Sequence, residues 1–177
     1  MEPRFVHLHL HSEYSLVDGL IRIKPLVKAC VSAAMPAVAV TDQGNLFSLV
    51  RFYKAAVGAG VKPIAGADLW VRNPDDVNQP HRLVLLVQDE QGYLNLTRLI
   101  SRGFVDGQHL GVPQVERDWV LEASAGLIAL SGGPRGEVAR ALLKGRPEEA
   151  SRLLDPWLAV FGDRYYLELI RTGREQE

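Results

Sequence analysis

The chain has 177 residues, of which 47% are hydrophobic and 23% are charged, and its formal net charge is −1. This is the composition of an ordinary globular protein with one core. The near-neutral balance gives no strong electrostatic case for nucleic-acid binding by this segment alone. No apolar run has the length of a membrane span, and the first residues lack the core of a signal peptide. We therefore expect a cytoplasmic protein without a membrane partner.

The first predicted strand, Phe5–Leu10, opens a run in which histidines alternate with aliphatic residues. Successive side chains of a strand point to opposite faces, so His7, His9 and His11 are expected to share one face. Neutral imidazole is the commonest metal ligand, and two on one strand face can bind one ion. The spacing alone fits equally well a solvated strand face, or buried histidines satisfied by hydrogen bonds.

A loop that contains Asp18 is expected after this strand, at the kind of strand end where α/β proteins place their chemistry. The following predicted helix, Lys24–Met35, carries Cys30, the only cysteine of the chain. One cysteine allows no internal disulfide and no cysteine-based zinc site, so a reducing compartment is expected. Cys30 itself is interpreted as a small core residue.

Two aspartates follow or interrupt the next predicted strands. Asp42 comes just after the strand Ala37–Thr41, where it is a candidate oxygen ligand or acid/base group, or else a turn residue that caps the next helix. Asp68 lies within the strand Pro63–Val71, which is otherwise apolar. A buried carboxylate needs a partner or a metal, so Asp68 is the better candidate, with an ion pair to an arginine as the alternative.

The remaining predicted elements continue the alternation of strands and helices, which indicates βαβ units and a mostly parallel sheet. The last strand is expected to lead into a turn just before residue 177, which indicates a piece of a longer protein. The further strands are Leu83–Gln88, Leu127–Ser131 and Tyr165–Ile170, and the further helices are Leu46–Gly58, Tyr93–Ser101, Arg117–Ala123, Glu137–Leu143 and Glu148–Val160.

Several stretches together resemble a known family. They are Phe5–Ser15 with Asp18-Gly19, Thr41-Asp42 with Gly44–Leu46, Gly60–Gly66, Gly92–Leu96, Gly126–Gly132 and Glu168–Arg174. The chain resembles the PHP (polymerase and histidinol phosphatase) domain in the form found at the N-terminus of bacterial replicative DNA polymerase III alpha subunits. The resemblance covers nearly the whole chain. It implies that residues 1–177 are the N-terminal part of a PHP domain, without its last strands or the polymerase domains.

The family fold implies a distorted, TIM-like β/α barrel of seven strands, here truncated before closure. Metal-binding members hold up to three ions with histidine and acidic ligands, and they hydrolyse phosphoesters or act as 3′–5′ exonucleases. By resemblance His9 and His11 match the first ligand pair and Asp18 a later ligand, and Asp68 stands where active members usually have Glu. His7 lies beside the pair and is a weaker candidate.

Three positions depart from the ligand pattern of active members. Gln43 and Arg82 stand where those members have histidines, and Gly133 stands where they have a cysteine or histidine. Gln is a poor transition-metal ligand, Arg is none and Gly has no side chain. The resemblance therefore implies a degenerate site that binds no metal tightly, with residual Zn, Mn or Mg as the alternative.

The function implied by the resemblance is that of a non-catalytic module in a DNA-directed DNA polymerase, a nucleotidyltransferase. Its expected partners are the rest of the alpha chain, a proofreading exonuclease subunit that docks on it, and DNA through the full polymerase. The alternative is a metal-dependent phosphoesterase or 3′–5′ exonuclease that tolerates the substitutions. The two hypotheses differ in the metal content of the purified protein.

Overall fold

The computed structural model describes residues 5–16, 18–170 and 173. The chain divides into two compact units, Met1–Asp68 and Leu69–Glu177, and each is described by itself. In the described ranges, no helix has both the length and the apolar character needed to cross a membrane.

The first unit contains two helices and a parallel strand pair. Its elements are α1 (Ile23–Ser32), β1 (Ala37–Val40), α2 (Leu49–Gly58) and β2 (Lys62–Val71), whose last three residues belong to the second unit. β1 pairs in parallel with β2, with Ala37 opposite Lys62 and Val40 opposite Ala65. Both helices are amphipathic and bury one face over β1. The buried core consists of Ile23, Leu26, Val27, Cys30, Val38, Val40, Phe52, Ala56 and Val61.

The expected strand Phe5–Leu10 is wrong, because these residues run beside β1 without forming a regular strand. The Ala39 N–H donates to His7 O and the Thr41 N–H donates to Leu10 O, each at 2.8 Å. The two residue steps from Ala39 to Thr41 therefore lie opposite the three residue steps from His7 to Leu10. One extra residue on one side of a strand pair is the arrangement of a β-bulge. Thr41 Oγ1 also accepts from the Leu10 N–H at 2.9 Å, which removes a donor from the ladder. Between His7 and Leu10 the side chains therefore no longer point alternately to the two faces, as they would in a regular strand.

The second unit contains antiparallel and parallel pairings. Its elements are β3 (His81–Val87), α3 (Glu90–Val105), β4 (Gln108–His109), β5 (Val112–Pro113), α4 (Arg117–Glu122), β6 (Leu127–Leu130), α5 (Glu137–Leu143), α6 (Pro147–Phe161) and β7 (Tyr165–Tyr166). β3 pairs antiparallel with β6, and β6 pairs in parallel with β7. β4 and β5 form a separate antiparallel ribbon.

The α/β class is confirmed, whereas the seven-stranded barrel is not. Among the described residues the strands do not close into a barrel, and two of the seven form the separate β4–β5 ribbon. The helix expected at Tyr93–Ser101 is longer at both ends. Asp89 begins it, because its Oδ1 accepts from the Gly92 N–H at 2.9 Å. The helix was predicted from its apolar periodicity, which does not register a polar cap such as Asp89, so the predicted start came too late.

A buried polar group lies where α5 and α6 pack. Glu137 is 7% exposed and accepts hydrogen bonds from Arg117 and from the indole N–H of Trp157. Trp157 in turn stacks on Tyr165, with ring centroids 5.9 Å apart. Burial, followed by the negative charge of Glu137, raises the pKa of Tyr165 well above its usual range. This group joins two helices and β7 in the second unit.

Candidate functional site

Three potential metal ligands meet in the first unit. His9, His11 and Asp68 each offer one nitrogen or oxygen atom, and these atoms lie within 4.8 Å of one another. Asp68 Oδ2 lies 3.2 Å from His9 Nε2 and 3.0 Å from His11 Nε2. Two imidazoles and one carboxylate are a donor set typical of divalent transition metals. We call these three residues the histidine–carboxylate cluster.

Asp68 enters the cluster from within β2 and is fully buried. Its main chain is fixed by residues that follow β1, since the Asp68 N–H donates to Asp42 O at 3.2 Å and the Gly44 N–H donates to Asp68 O at 2.8 Å. The two histidines come from the irregular segment on the other side of β1. The cluster therefore depends on backbone pairing on both sides of one short strand.

Asp18 orients His11 through ring nitrogen Nδ1, while the other ring nitrogen, Nε2, faces Asp68. His11 Nδ1 lies 2.8 Å from Asp18 Oδ1, and the hydroxyl of Ser15 donates to the same oxygen at 3.0 Å. Ser15 Oγ accepts from the Gln43 N–H at 3.0 Å, so the arrangement is tied to the main chain after β1. A carboxylate behind a histidine that faces a ligand position is the arrangement that orients metal-binding imidazoles. Asp18 thus supports His11 and does not join the three donors.

The hydrogen-bonding geometry fits a cation between His11 and Asp68. A neutral imidazole that donates from Nδ1 to Asp18 has a lone pair on Nε2. That lone pair faces the Asp68 carboxylate oxygen at 3.0 Å, which is a contact between two acceptors. A proton on Nε2 or a metal ion bound by both atoms resolves it. The residues present therefore fit a metal, although three protein ligands form only part of a coordination shell.

Asp42 lies elsewhere and has a different role. It is 1% exposed, and its two carboxylate oxygens accept from the N–H of Ser12 at 2.6 Å and from the hydroxyls of Ser12 and Ser48 at 2.8 and 2.6 Å. Three donors satisfy a buried carboxylate without a metal. Asp42 therefore holds together the loop after His11 and the segment that precedes α2.

Gln43 directs its amide to the main chain. Its Nε2 donates to Asp68 O at 3.0 Å, and Gln43 also forms a parallel bridge with Asp68. An amide N–H₂ has no lone pair for a metal, so this contact supports the backbone of Asp68 without adding a ligand. The side chain occupies a structural position next to the cluster.

His7 does not join the cluster. Its ring is exposed and packs edge-on against Phe5, with ring centroids 4.8 Å apart. Together with Leu10 it lines an apolar groove of about 630 Å³ beside α1. The extra residue between His7 and Leu10 explains why the expected shared face of three histidines is reduced to His9 and His11.

Arg82 and Gly133 belong to the second unit. The Arg82 guanidinium lies 5.4 Å from the centre of the Trp70 ring. Gly133 is buried at the turn after β6 with a φ of 56°, and a Cβ there would lie 2.6 Å from Ile170 Cδ1. The close approach and the positive φ both favour glycine at this position.

Ser12, Ser15 and Ser48 have structural roles that the sequence pattern did not assign to them. All three are buried, and their hydroxyls connect Asp42 and Asp18 to the surrounding backbone. A local signal existed only for Ser15, which lies three residues before Asp18 and donates to its carboxylate, whereas Ser12 and Ser48 lie thirty and six positions from Asp42. Nothing in the apolar periodicity pointed to them.

A family model described as PHP domain matches residues 7–172 of the chain. Relatives of the chain include DNA polymerase III subunit alpha of Pseudomonas fluorescens, which is 59% identical over 177 residues. The same subunit of Pseudomonas aeruginosa is 55% identical over 174 residues. The same subunit of Escherichia coli K12 is 48% identical over 180 residues. These alignments include 98% to 100% of this chain and 15% of each relative, so the chain spans 15% of the length of these relatives.

Solved structures with a similar fold include an amidohydrolase from Chromobacterium violaceum with bound sulfate and no metal. It aligns with a TM-score of 0.57 at 16% identity and covers 91% of this chain and 75% of that chain. A chain from Bifidobacterium adolescentis named as a metal-dependent phosphoesterase has a TM-score of 0.52 at 13% identity, with coverages of 89% and 85%. At these identities the likeness is one of fold alone.

Proposed function

Because the chain belongs to the PHP domain family, we propose that it serves as the N-terminal PHP module of a DNA polymerase III alpha subunit. The parent protein is then the DNA-directed DNA polymerase that replicates the bacterial chromosome, acting in the cytoplasm. The observation that carries this proposal is the 59% identity to such a subunit over all 177 residues. The module is the N-terminal part of a PHP domain, and the polymerase domains follow it in the longer protein.

Within that protein the module is proposed to be non-catalytic. Three donors gather in the histidine–carboxylate cluster, whereas Gln43 binds main chain and Asp42 is satisfied by serines. Phosphoester hydrolysis at a metal centre needs the ion, a held substrate oxygen and a positioned water. Three protein ligands with an open position also occur at catalytic zinc centres, so the non-catalytic proposal rests on Gln43 and Gly133, which supply no donor for a further ion. The proposed roles are support of the polymerase and docking of the proofreading exonuclease subunit.

A divalent metal would be held by His9, His11 and Asp68, with Asp18 orienting His11. When bound, such an ion acts as a Lewis acid toward phosphoryl oxygens and lowers the pKa of its bound water. The chain's own contribution is to keep the two imidazoles and the buried carboxylate in place through the pairings on both sides of β1. Zn, Mn or Mg bound weakly at this position is consistent with the donor set.

The second candidate is a metal-dependent phosphoesterase or 3′–5′ exonuclease. The specific observation that favours it is the Asp18–His11–Asp68 arrangement, in which a ligand-facing histidine has its own orienting carboxylate. Structural sites and catalytic sites both use this support, so activity decides between the two candidates.

The experiment combines docking and nuclease assays on the alpha protein that contains this chain. We expect the exonuclease subunit of the same organism to co-purify with it. We also expect no release of 3′ nucleotides by the alpha protein alone in Mg²⁺, Mn²⁺ or Zn²⁺. Removal of 3′ nucleotides that depends on metal and is abolished by His11→Ala would establish the phosphoesterase candidate. Failure of the exonuclease subunit to co-purify would overturn the docking role.

A further inference from the structure

Three cationic side chains lie in and beside α5 in the second unit. Arg135 precedes the helix, Arg140 lies within it and Lys144 follows its last residue. Arg140 and Lys144 are four residues apart, so they lie on the same side of the helix about 6 Å apart along its axis. Arg135 and Lys144 are exposed and Arg140 is half-buried. We call these three residues the α5 basic row.

The charges of the row are not neutralised locally. Within residues 5–16, 18–170 and 173, no carboxylate forms an ion pair with any of the three. The nearest acid on the helix itself, Glu137, is buried and already binds Arg117 and the Trp157 indole. Glu137 is therefore directed into the interior and does not form an ion pair with the row.

The row members are close enough to act on each other and on a neighbour. Burial lowers the pKa of Arg140, and the positive charge of Arg135 lowers it further. Burial also lowers the pKa of His81 to about 4, helped by the charges of Arg140, Arg117 and Lys144 and opposed by Asp75. Cations that repel one another in this way are stabilised when an anion binds between them.

Two of the three side chains are held in place. The Arg135 guanidinium lies 5.7 Å from the centre of the Trp70 ring, and Arg140 Nη1 donates to Gln79 O at 2.9 Å. A guanidinium fixed by an aromatic ring or a carbonyl loses less conformational entropy when it binds a ligand. Its remaining N–H groups match the oxygens of a phosphate.

We propose that the α5 basic row binds the phosphates of DNA directly. A row of cations, two of them held in place, suits a ligand whose negative charges repeat along a chain, and DNA phosphates have this property. The inference rests on the proposed function, because a replicative polymerase brings DNA to its own modules. A chain of net charge −1 can still present a basic surface, because an acid such as Glu137 binds Arg117 in the interior instead of pairing with the row.

The test is the salt dependence of binding of a fluorescein-labelled oligothymidylate to the chain, measured by fluorescence anisotropy. With three phosphate contacts, the slope of log K against log salt should be about −2 for a single strand. In the double variant Arg135→Ala/Lys144→Ala, the slope should shrink in magnitude by about 1.4. A duplex competitor shows whether the same phosphates are bound in double-stranded form, and either form supports the proposal.

The matched control is Lys28→Ala/Lys54→Ala, which removes the same charge from exposed positions of α1 and α2. It should leave the slope unchanged, and circular dichroism should show both variants folded. No binding at low salt, or equal losses in the two double variants, would overturn the proposal. Equal affinity for polyglutamate would indicate an acidic protein partner and would overturn it as well. None of these outcomes alters the co-purification test of the proposed function.

Discussion

Asp42 accepts two hydrogen bonds from Ser12, one from its main-chain N–H at 2.6 Å and one from its hydroxyl at 2.8 Å. Both residues are almost completely buried, so no water is available to replace either bond. The pair closes the loop that follows His11 onto the segment after β1.

Asp42→Ala should lower the free energy of unfolding by about 3 kcal/mol, because it leaves the Ser12 N–H and two hydroxyls buried without an acceptor. Asp42→Asn keeps one acceptor oxygen and should cost about 1 kcal/mol. Urea denaturation measures both. If the two variants were as stable as the parent chain, Asp42 would have no structural role and would again be a candidate metal ligand.

Metal binding by the chain should be weak. After dialysis against metal-free buffer, elemental analysis should find well under one equivalent of Zn or Mn, because three ligands are an incomplete shell. Added Zn²⁺ should bind reversibly, and His11→Ala or Asp68→Asn should weaken that binding, whereas His7→Ala should not. One equivalent of tightly retained metal would contradict the degenerate-site interpretation.

The second unit should lose stability as the pH falls from about 6.5 toward 4, through its His81 residue. In the folded chain burial and the neighbouring cations hold the pKa of His81 at about 4, whereas its ordinary value is 6.5. Below pH 6.5 the unfolded chain takes up a proton that the folded chain does not, so acid favours unfolding. His81 is half-buried, so the loss should be on the order of 2 kcal/mol or less once solvent screening is allowed for.

His81→Asn removes this titration while keeping a side-chain acceptor near Arg140, whose Nη1 lies 3.4 Å from His81 Nδ1. Urea denaturation at pH 4.5 and 7.5 should show a smaller difference in unfolding free energy for the variant than for the parent chain. An unchanged difference would assign the acid sensitivity to other groups.

Glu137→Ala should destabilise the chain by about 3 kcal/mol, because Arg117 loses its ion-pair partner and the buried Trp157 indole loses its acceptor. Glu137→Gln retains an acceptor oxygen for the indole and should cost less. Urea denaturation followed by circular dichroism measures the unfolding free energy of both variants. Equal loss in both variants would mean that the charge, and not the hydrogen bond to Trp157, carries the effect.

The chain alone should not extend a DNA primer. Nucleotidyl transfer needs clustered carboxylates that hold two metal ions, whereas here Asp68 is the single acid among the three cluster donors. A primer-extension assay with the purified chain checks this. Nucleotide incorporation that disappears in Asp68→Ala would place polymerase chemistry in this segment.

Much of the fold follows from periodicity, because helices with one apolar face and strands with continuous apolar runs are local patterns. α5 occupies the predicted range Glu137–Leu143, and β1 differs from its prediction only at Thr41. The burial of Asp68 was also predictable, since a carboxylate in an apolar strand has few alternatives. Its partners His9 and His11 were visible as candidates in the sequence.

The rest depended on contacts that are distant in the sequence. Thr41 takes the Leu10 N–H through its hydroxyl, and this exchange cannot be read from either residue alone. The use of Asp42 by two serines thirty and six positions away is of the same kind. The α5 basic row was hidden because composition counts Glu137 as an opposing charge, although the fold directs it inward.

The extra residue between His7 and Leu10 determines which genetic changes the histidine–carboxylate cluster can tolerate. Point substitutions at Leu8 leave the count of residues between the two hydrogen bonds unchanged, so the imidazoles keep their places. Deletion of one residue there would restore a two-for-two register with β1 and turn the side chains on one side of the deletion to the opposite face. The cluster should therefore tolerate substitution of Leu8 but not the loss of one codon between His7 and Leu10.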